Sequence, residues 1–162
     1  MTASWRPGCP VPLEELRLVT LSHWGFDGRT SQGELVVAAA YAEDIVEAFR
    51  RLFDERFPIE SIRLVDEFGG DDDRSMAANN TSGFNCRPAT GSTRWSEHAY
   101  GRAVDINPVQ NPYVTRAGAI LPPAGAAHTG RDPATPGLIT DASVAVSAFG
   151  DIGWTWGGHW SG

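Results

Sequence analysis

The alternation of hydrophobic and polar residues in the first third of the chain predicts a β-hairpin. Apolar and polar residues alternate partway through residues 16–26, as in a strand with one buried face. A second run, residues 34–40, is apolar and β-branched, and the turn-forming pair Asp27-Gly28 lies between the two runs. We therefore predict two strands joined by a longer loop, preceded by an irregular, proline-rich segment over residues 1–12.

A helical pattern follows over residues 42–57. Apolar side chains recur there at the spacing of one helix face, at Ile45, Val46, Phe49, Leu52 and Phe53. Acidic residues in the first turn and arginines in the last turns suit the helix dipole, and Pro58 ends the pattern. A shorter helix is predicted over residues 141–150, with Thr140 or Asp141 at its N-cap.

The remaining segments predict strands and loops in mixed order. Residues 61–68, 103–107 and 154–156 are predicted strands, and in the second of these Val104 and Ile106 share the face opposite Asp105. Residues 69–73 are predicted to be a loop with solvated aspartates, because they lack the spaced ligands of an EF-hand. Residues 122–137, which include His128, are predicted to form a long loop. We therefore predict a single α+β domain over residues 1–162, with a mostly antiparallel sheet and flanking helices.

Composition and charge narrow the possible functions. The chain has 162 residues and a net charge of −7, and its 13 basic residues are all arginine. Because these arginines form no basic stripe, nucleic acid is not an expected partner. No apolar run approaches the ~18 residues of a membrane span, and the N-terminal residues lack a signal-peptide pattern. We expect a monomer.

The two cysteines, Cys9 and Cys86, do not have the spacing of a metal site. A disulfide between them would hold the N-terminal segment against the strand that precedes the candidate site. Two reduced thiols are equally compatible with the sequence, since the redox compartment decides between the two states.

A histidine and an aspartate, His98 and Asp105, stand on either side of Gly101 in residues 96–107. Both side-chain types ligate zinc. In one continuous helix they would lie about 10 Å apart along the axis, too far for metal–ligand bonds of about 2 Å. Gly101 permits a turn, so we predict that a turn carrying His98 folds back against a strand carrying Asp105. Taken alone, the pair favours the simpler interpretation of a surface histidine and a solvated aspartate.

Four motifs occur in order around this pair. They are S-G-F-x-C-R-P in residues 82–88, S-x-H-x-x-G-x-A-x-D-I-N in residues 96–107, N-P-Y in residues 111–113, and G-W-x-W-G-G-x-W in residues 153–160. This set resembles the zinc D-alanyl-D-alanine carboxypeptidase family, which includes the vancomycin-resistance D,D-dipeptidases and phage L-alanyl-D-glutamate endolysins. The resemblance is clearest over residues 64–162. It implies a fold like that of the hedgehog and D-Ala-D-Ala peptidase domains.

The resemblance also implies a site. His98 and Asp105 match the first two zinc ligands of the family. Arg87 matches an arginine that stabilises developing negative charge, although a surface salt bridge would also explain it. Ser96 matches a serine that contacts substrate, although a hydroxyl that bonds the backbone of a turn would also explain it.

The third ligand is where the chain departs from the family. His159 is the best candidate, but relatives take their last ligand from a later segment, with the acidic general base three positions before the histidine. Trp156 occupies that position here. The sequence leaves two alternatives: either His159 replaces the missing ligand, or the chain is truncated relative to the family.

The resemblance implies a zinc metallopeptidase that cleaves peptidoglycan stem peptides by metal-activated water. It would act as a D-alanyl-D-alanine carboxypeptidase or as an L-alanyl-D-glutamate endopeptidase. The alternative is a truncated or degenerate, non-catalytic relative that acts as a cell-wall-binding or structural module. The family's substrates imply a cell-envelope or secreted location.

Overall fold

A β-hairpin covered by a helix forms the centre of the structure, a computed structural model that describes residues 1–160. Strand β1 (Leu16–Trp24) pairs with β2 (Thr30–Ala38) in antiparallel register, from Leu16 opposite Ala38 to Trp24 opposite Thr30. Helix α1 (Ala42–Asp54) packs on this hairpin. The hairpin and the first helix are thus confirmed, because each has the hydrophobic period of its own element.

The other regular elements are short. In chain order they are β3 (Ser61–Ile62), α2 (Asp72–Ala77), β4 (Asn80–Thr81), β5 (Tyr113–Val114), β6 (Ile120–Leu121) and α3 (Val144–Asp151). Turns of 3-10 helix lie at Leu13–Glu15, Ala39–Tyr41, Val65–Phe68, Glu97–Tyr100, Pro123–His128 and Gly157–His159. No helix within residues 1–160 has the length and apolar character that crossing a membrane requires.

The main core lies between the hairpin and the helices. Its buried side chains include Leu21, Leu35, Val37, Ile45, Phe49, Leu52, Ile106, Ile139 and Ala148. The ring of Phe49 on α1 meets that of Phe149 on α3 edge-on, with centroids 5.9 Å apart. Because Ile106 lies in this core, the backbone next to Asp105 is fixed by burial of its neighbour.

The α+β class is confirmed, but the strands are arranged differently from the prediction. Within the described residues the strands form separate two-stranded sheets, β1–β2, β3–β4 and β5–β6, and the β3–β4 pair is parallel. The predicted strand over residues 61–68 ends at Ile62, and Val65–Phe68 forms a 3-10 turn that closes at Gly69 with a φ of 73°. Residues 103–107 contribute one bridge, between Asp105 and Ser82, instead of a strand.

Local contacts explain the other differences. Helix α1 ends before residue 57 because Arg56 adopts a left-handed φ of 54° and reverses the chain. Helix α3 begins later than predicted, after Ser143, whose hydroxyl accepts a hydrogen bond from the Thr140 amide at 2.7 Å. Residues 154–156 are irregular instead of a strand, and the Trp154 ring packs edge-on against Tyr41.

The N-terminal segment is held against the body of the protein. Cys9 and Cys86 form a disulfide, so the first of the two alternatives for the cysteines is confirmed. The amide of Cys86 also donates to the Ser4 carbonyl at 2.9 Å. The Asp66 carboxylate accepts hydrogen bonds from the amides of Thr2 and Ala3, at 2.6 and 2.9 Å, and from the Ser4 hydroxyl. The extended segment before the candidate site therefore carries the N-terminal segment on one side.

We expect Asp66→Asn to destabilise the fold in a pH-dependent way. Burial of Asp66 favours its neutral form, but the Ser4 hydroxyl and the backbone amides outweigh this cost and lower its pKa. A lowered folded-state pKa contributes stability above the unfolded value, and this contribution is lost as the pH falls through the folded value. At neutral pH the free energy of unfolding of the wild type should therefore exceed that of Asp66→Asn by about 2 kcal/mol.

Urea unfolding at a series of pH values tests this expectation. The difference should shrink as the pH falls below about 4, where aspartate becomes protonated. The exposed Glu14→Gln, which removes the same charge, is the control and should change stability little. A difference between wild type and Asp66→Asn that stays constant down to low pH would contradict the role given to this carboxylate.

Candidate active site

A short turn of 3-10 helix, Glu97–Tyr100, positions His98. Ser96 precedes it, and its hydroxyl accepts a hydrogen bond from the His98 amide at 3.3 Å. Gly101 ends the turn with a φ of 66°, and its carbonyl accepts from the Ala38 amide at 3.0 Å. A Cβ atom at Gly101 would lie 2.4 Å from the Ala38 nitrogen, so only glycine lets this turn lie so close to β2.

Residues 82–85 connect this turn to Asp105. Ser82 and Asp105 exchange backbone hydrogen bonds of 3.0 and 2.9 Å, while the Asn85 amide donates to the His98 carbonyl at 3.1 Å. The Phe84 amide donates to Val36 of β2 at 2.8 Å, which fixes the segment on the hairpin. One extended segment thus sets the positions of both the histidine and the aspartate.

The side chains of His98 and Asp105 converge, as expected from the predicted turn at Gly101. The Nε2 atom of His98 lies 3.3 Å from Oδ2 of Asp105, and its Nδ1 atom lies 2.6 Å from the Gly83 carbonyl oxygen. Since a carbonyl can only accept, Nδ1 carries a proton and donates it to Gly83. Nε2 therefore faces Asp105: it donates to the carboxylate when the ring is protonated, and it carries the lone pair that a metal would bind when the ring is neutral. The His98 side chain is 9% exposed, whereas that of Asp105 is 38% exposed, so the pair opens to solvent on the aspartate side.

The spacing of these two atoms fits neighbouring ligand positions of a tetrahedral zinc site. Zinc–nitrogen and zinc–oxygen bonds of about 2.0–2.2 Å place two tetrahedral ligand atoms roughly 3.3 Å apart. The hydrogen bond from Nδ1 to Gly83 is also what a metal-ligating histidine requires, because it fixes the tautomer and the ring orientation. The donor set therefore fits zinc at two of its positions.

Charge couples the His98 and Asp105 side chains. Burial disfavours the imidazolium of His98, but the Asp105 carboxylate outweighs that cost and raises the His98 pKa. Burial likewise favours the neutral form of Asp105, but His98 and then Arg87 outweigh it and lower the Asp105 pKa. Arg87 is therefore close enough to act electrostatically on both groups.

Arg87 is held by a carboxylate that the sequence did not single out. Its backbone carbonyl accepts from the Ser96 amide at 3.1 Å, which places Arg87 beside the His98 turn. The Nη2 atom of Arg87 lies 2.7 Å from Oδ2 of Asp72, and the two side chains are 21% and 16% exposed, respectively. Residues 72 and 73 belong to α2, and the Asp71 side chain caps that helix by accepting from the Arg74 amide.

The interpretation of residues 69–73 as a loop with solvated aspartates was therefore wrong for Asp72 and Asp73, which belong to α2, and Asp72 is paired with Arg87. A preceding Asp71 in N-cap position was the available sequence signal for α2. The helix is too short to show a hydrophobic period, so the pattern of the chain did not reveal it.

The other predicted site residues have clear structural partners. Ser96 is 8% exposed, and its hydroxyl bonds the backbone of its own turn, while a substrate contact stays a prediction. His159 lies in the turn Gly157–His159, with Nε2 2.5 Å from Oδ1 of Asp141 and a side chain 56% exposed. Among residues 1–160, no three or more His, Cys, Asp or Glu side chains form a group that could hold a metal ion. The structure thus brings together His98, Asp105 and Arg87, whereas it pairs His159 with Asp141.

Comparison with known proteins agrees with the motifs. A model of the D-alanyl-D-alanine carboxypeptidase family matches residues 90–162, which include Ser96, His98, Asp105 and His159. This match confirms the resemblance and supports a peptidase of the D-alanyl-D-alanine carboxypeptidase kind. Arg87 lies just before the matched residues. No curated protein and no solved structure matches the chain.

We expect Gly101→Ala to destabilise the protein more than Gly91→Ala. Both glycines have positive φ, 66° and 70°, so alanine is strained at either position. At Gly91 a Cβ atom meets nothing within 4 Å, whereas at Gly101 it would meet the Ala38 backbone. Strain alone should cost about 1 kcal/mol, and the clash should add about 2 kcal/mol or more. Denaturant unfolding of the two variants measures the difference, and equal losses would contradict the close approach of this turn to β2.

Proposed function

We propose that the protein is a zinc-dependent peptidase that cleaves peptidoglycan stem peptides. The bond would be that of a D-alanyl-D-alanine carboxypeptidase or of an L-alanyl-D-glutamate endopeptidase. The observation that carries this proposal is the 3.3 Å approach of His98 Nε2 to Asp105 Oδ2, with the charge of Arg87 acting on both groups. The family match over residues 90–162 supports the same class of enzyme.

His98 and Asp105 are the residues that would hold the zinc. When bound at such a site, zinc lowers the pKa of a bound water to about 7 and polarises the scissile carbonyl. The Gly83 carbonyl keeps the His98 ring oriented with Nε2 toward Asp105. His159 is our candidate for the third ligand, which requires that its imidazole leave Asp141.

Arg87 would stabilise negative charge that develops on the substrate. A guanidinium is always charged and offers a planar fork of N–H donors, of which Asp72 engages one edge. Its charge lies near enough to influence both His98 and Asp105. A fixed positive charge at this point stabilises the oxyanion of peptide hydrolysis without reorganisation of solvent.

The disulfide supports a location outside the cytoplasm. Disulfides persist in oxidising compartments, such as the bacterial periplasm and the cell exterior, and are rare in the cytosol. The Cys9–Cys86 bond involves the residue immediately before Arg87. In the cell envelope or outside the cell, the enzyme would keep this disulfide and would also encounter peptidoglycan.

Zinc content and stem-peptide cleavage, measured on the same samples, test the proposal. We expect Asp105→Ala to lose its zinc and His98→Ala to lose cleavage, each by more than the 10–100-fold that is typical when only an outer-shell partner is removed. His128→Ala removes a histidine outside the candidate site and is the matched control. Full activity of His98→Ala would overturn the proposal. Zinc or cell-wall binding without any cleavage would instead support the non-catalytic relative.

A separate variant tests the third ligand. If His159 completes the site, His159→Ala should lower zinc affinity as strongly as His98→Ala does, because each removes one nitrogen ligand. Competition with a chelator measures that affinity. Asp141→Asn is the control, since it removes the carboxylate that pairs with His159 but keeps the imidazole as a possible ligand. Unchanged zinc affinity in His159→Ala would place the third ligand elsewhere.

A further inference from the structure

The ion pair between Asp72 and Arg87 lies next to the candidate site but is not explained by it. Asp72 Oδ2 lies 2.7 Å from the Arg87 guanidinium, and both side chains are largely buried. The other carboxylate oxygen, Oδ1, accepts from Asn85 Nδ2 at 3.4 Å, and that amide group also donates to the Gly70 carbonyl. The carboxylate is therefore held on both of its oxygens.

The helix that carries Asp72 is itself anchored. Its residue Ser75 is fully buried, and the Ser75 hydroxyl accepts from Asn80 Nδ2 at 3.0 Å. Asn80 also accepts from the Arg63 amide at 2.9 Å, which joins α2 to the β3–β4 pair. Asp72 thus presents its carboxylate to Arg87 from a fixed backbone, unlike a charge on a mobile loop.

Arg87 has a second carboxylate within electrostatic reach, that of Asp105. An arginine side chain has many rotamers, and its planar fork matches the geometry of any carboxylate within reach. If Arg87 paired with Asp105, the guanidinium would occupy the oxygens that the proposed metal needs. The ion pair with Asp72 opposes this rearrangement, because it gives the guanidinium a carboxylate partner of its own.

We propose that Asp72 is a positioning residue, which holds the Arg87 guanidinium beside the site and keeps it from pairing with Asp105. This inference rests on the proposed function for its consequence in catalysis. Its geometric content, the orientation of Arg87, stands apart from that function. In this role Asp72 acts through Arg87, with which it forms its ion pair.

Asp72→Asn, with its exposed neighbour Asp73→Asn as control, tests the inference. Both remove one negative charge from the first turn of α2, but only the first removes the partner of Arg87. In Asp72→Asn we expect zinc affinity and kcat each to fall by about 10-fold, within the range for outer-shell residues, with KM changed less. Asp73→Asn should keep both values. Equal effects of the two variants would overturn the inference.

A double variant separates positioning from a merely structural role. Once Arg87→Gln has removed the guanidinium, adding Asp72→Asn should cost no further kcat, and zinc affinity should return toward that of wild type. Additive losses would show that Asp72 does not act through Arg87. If Asp72→Asn fails to fold, Asp72→Glu keeps the charge but shifts its position, and it should show a smaller loss of kcat.

One measurement is independent of any enzyme activity. The NMR signal of the Arg87 Nε–H in the metal-free protein reports the surroundings of the guanidinium. It should move in Asp72→Asn and stay in place in Asp73→Asn. An unmoved signal in both overturns the positioning role. If the signal moves as expected in Asp72→Asn but the wild type neither binds zinc nor cleaves a peptide, the positioning role stands and the proposed function fails.

Discussion

Main-chain hydrogen bonds along residues 82–85 are the constraint on which the candidate site depends. This segment pairs with the backbone of Asp105 at one end and with the carbonyl of His98 at the other. Its Gly83 carbonyl also holds the His98 ring. Because backbone bonds fix three separate features, the 3.3 Å approach of the two side chains does not rely on side-chain packing alone. A Cβ atom at Gly83 would lie 2.5 Å from the Val36 carbonyl, so this template also requires a glycine.

The charges at the site alternate in sign from Asp72 through Arg87 to Asp105 and His98. Such an order lowers the cost of burying each group, since each ion has an opposite charge beside it. The four groups also differ in how fully their partners hold them. Asp72 and Arg87 form an ion pair at 2.7 Å. The Asp105 side chain is partly exposed, and its distance from His98 suits a shared cation. The site therefore has one committed ion pair and one pair of atoms open to a further ligand.

The parts of this structure that the sequence predicted are those with a local signal. The hairpin and α1 have hydrophobic periods that extend over many residues, and His98 and Asp105 lie on either side of one turn-forming glycine. Helix α2 and the separate small sheets have no such period, because capping and long-range hydrogen bonds decide them. The Asp72–Arg87 pair joins α2 to a segment outside it, so no local pattern in the sequence indicates that the two residues meet. The state of the two cysteines was left open for a different reason, because it depends on the redox compartment, which the sequence does not reveal.

The N-terminal segment bears on the site through Cys86. That residue lies directly before Arg87, is bonded to Cys9, and accepts a hydrogen bond from Arg6 at 2.9 Å on its carbonyl. Arg87 is thus positioned twice: its backbone by the covalent and hydrogen-bonded N-terminal segment, and its guanidinium by Asp72. In the function we propose, Arg87 would stabilise a transient negative charge, and a positive charge does so best when it does not have to move. The two anchors give Arg87 that property, although they belong to parts of the chain that contribute no atom to the His98–Asp105 pair.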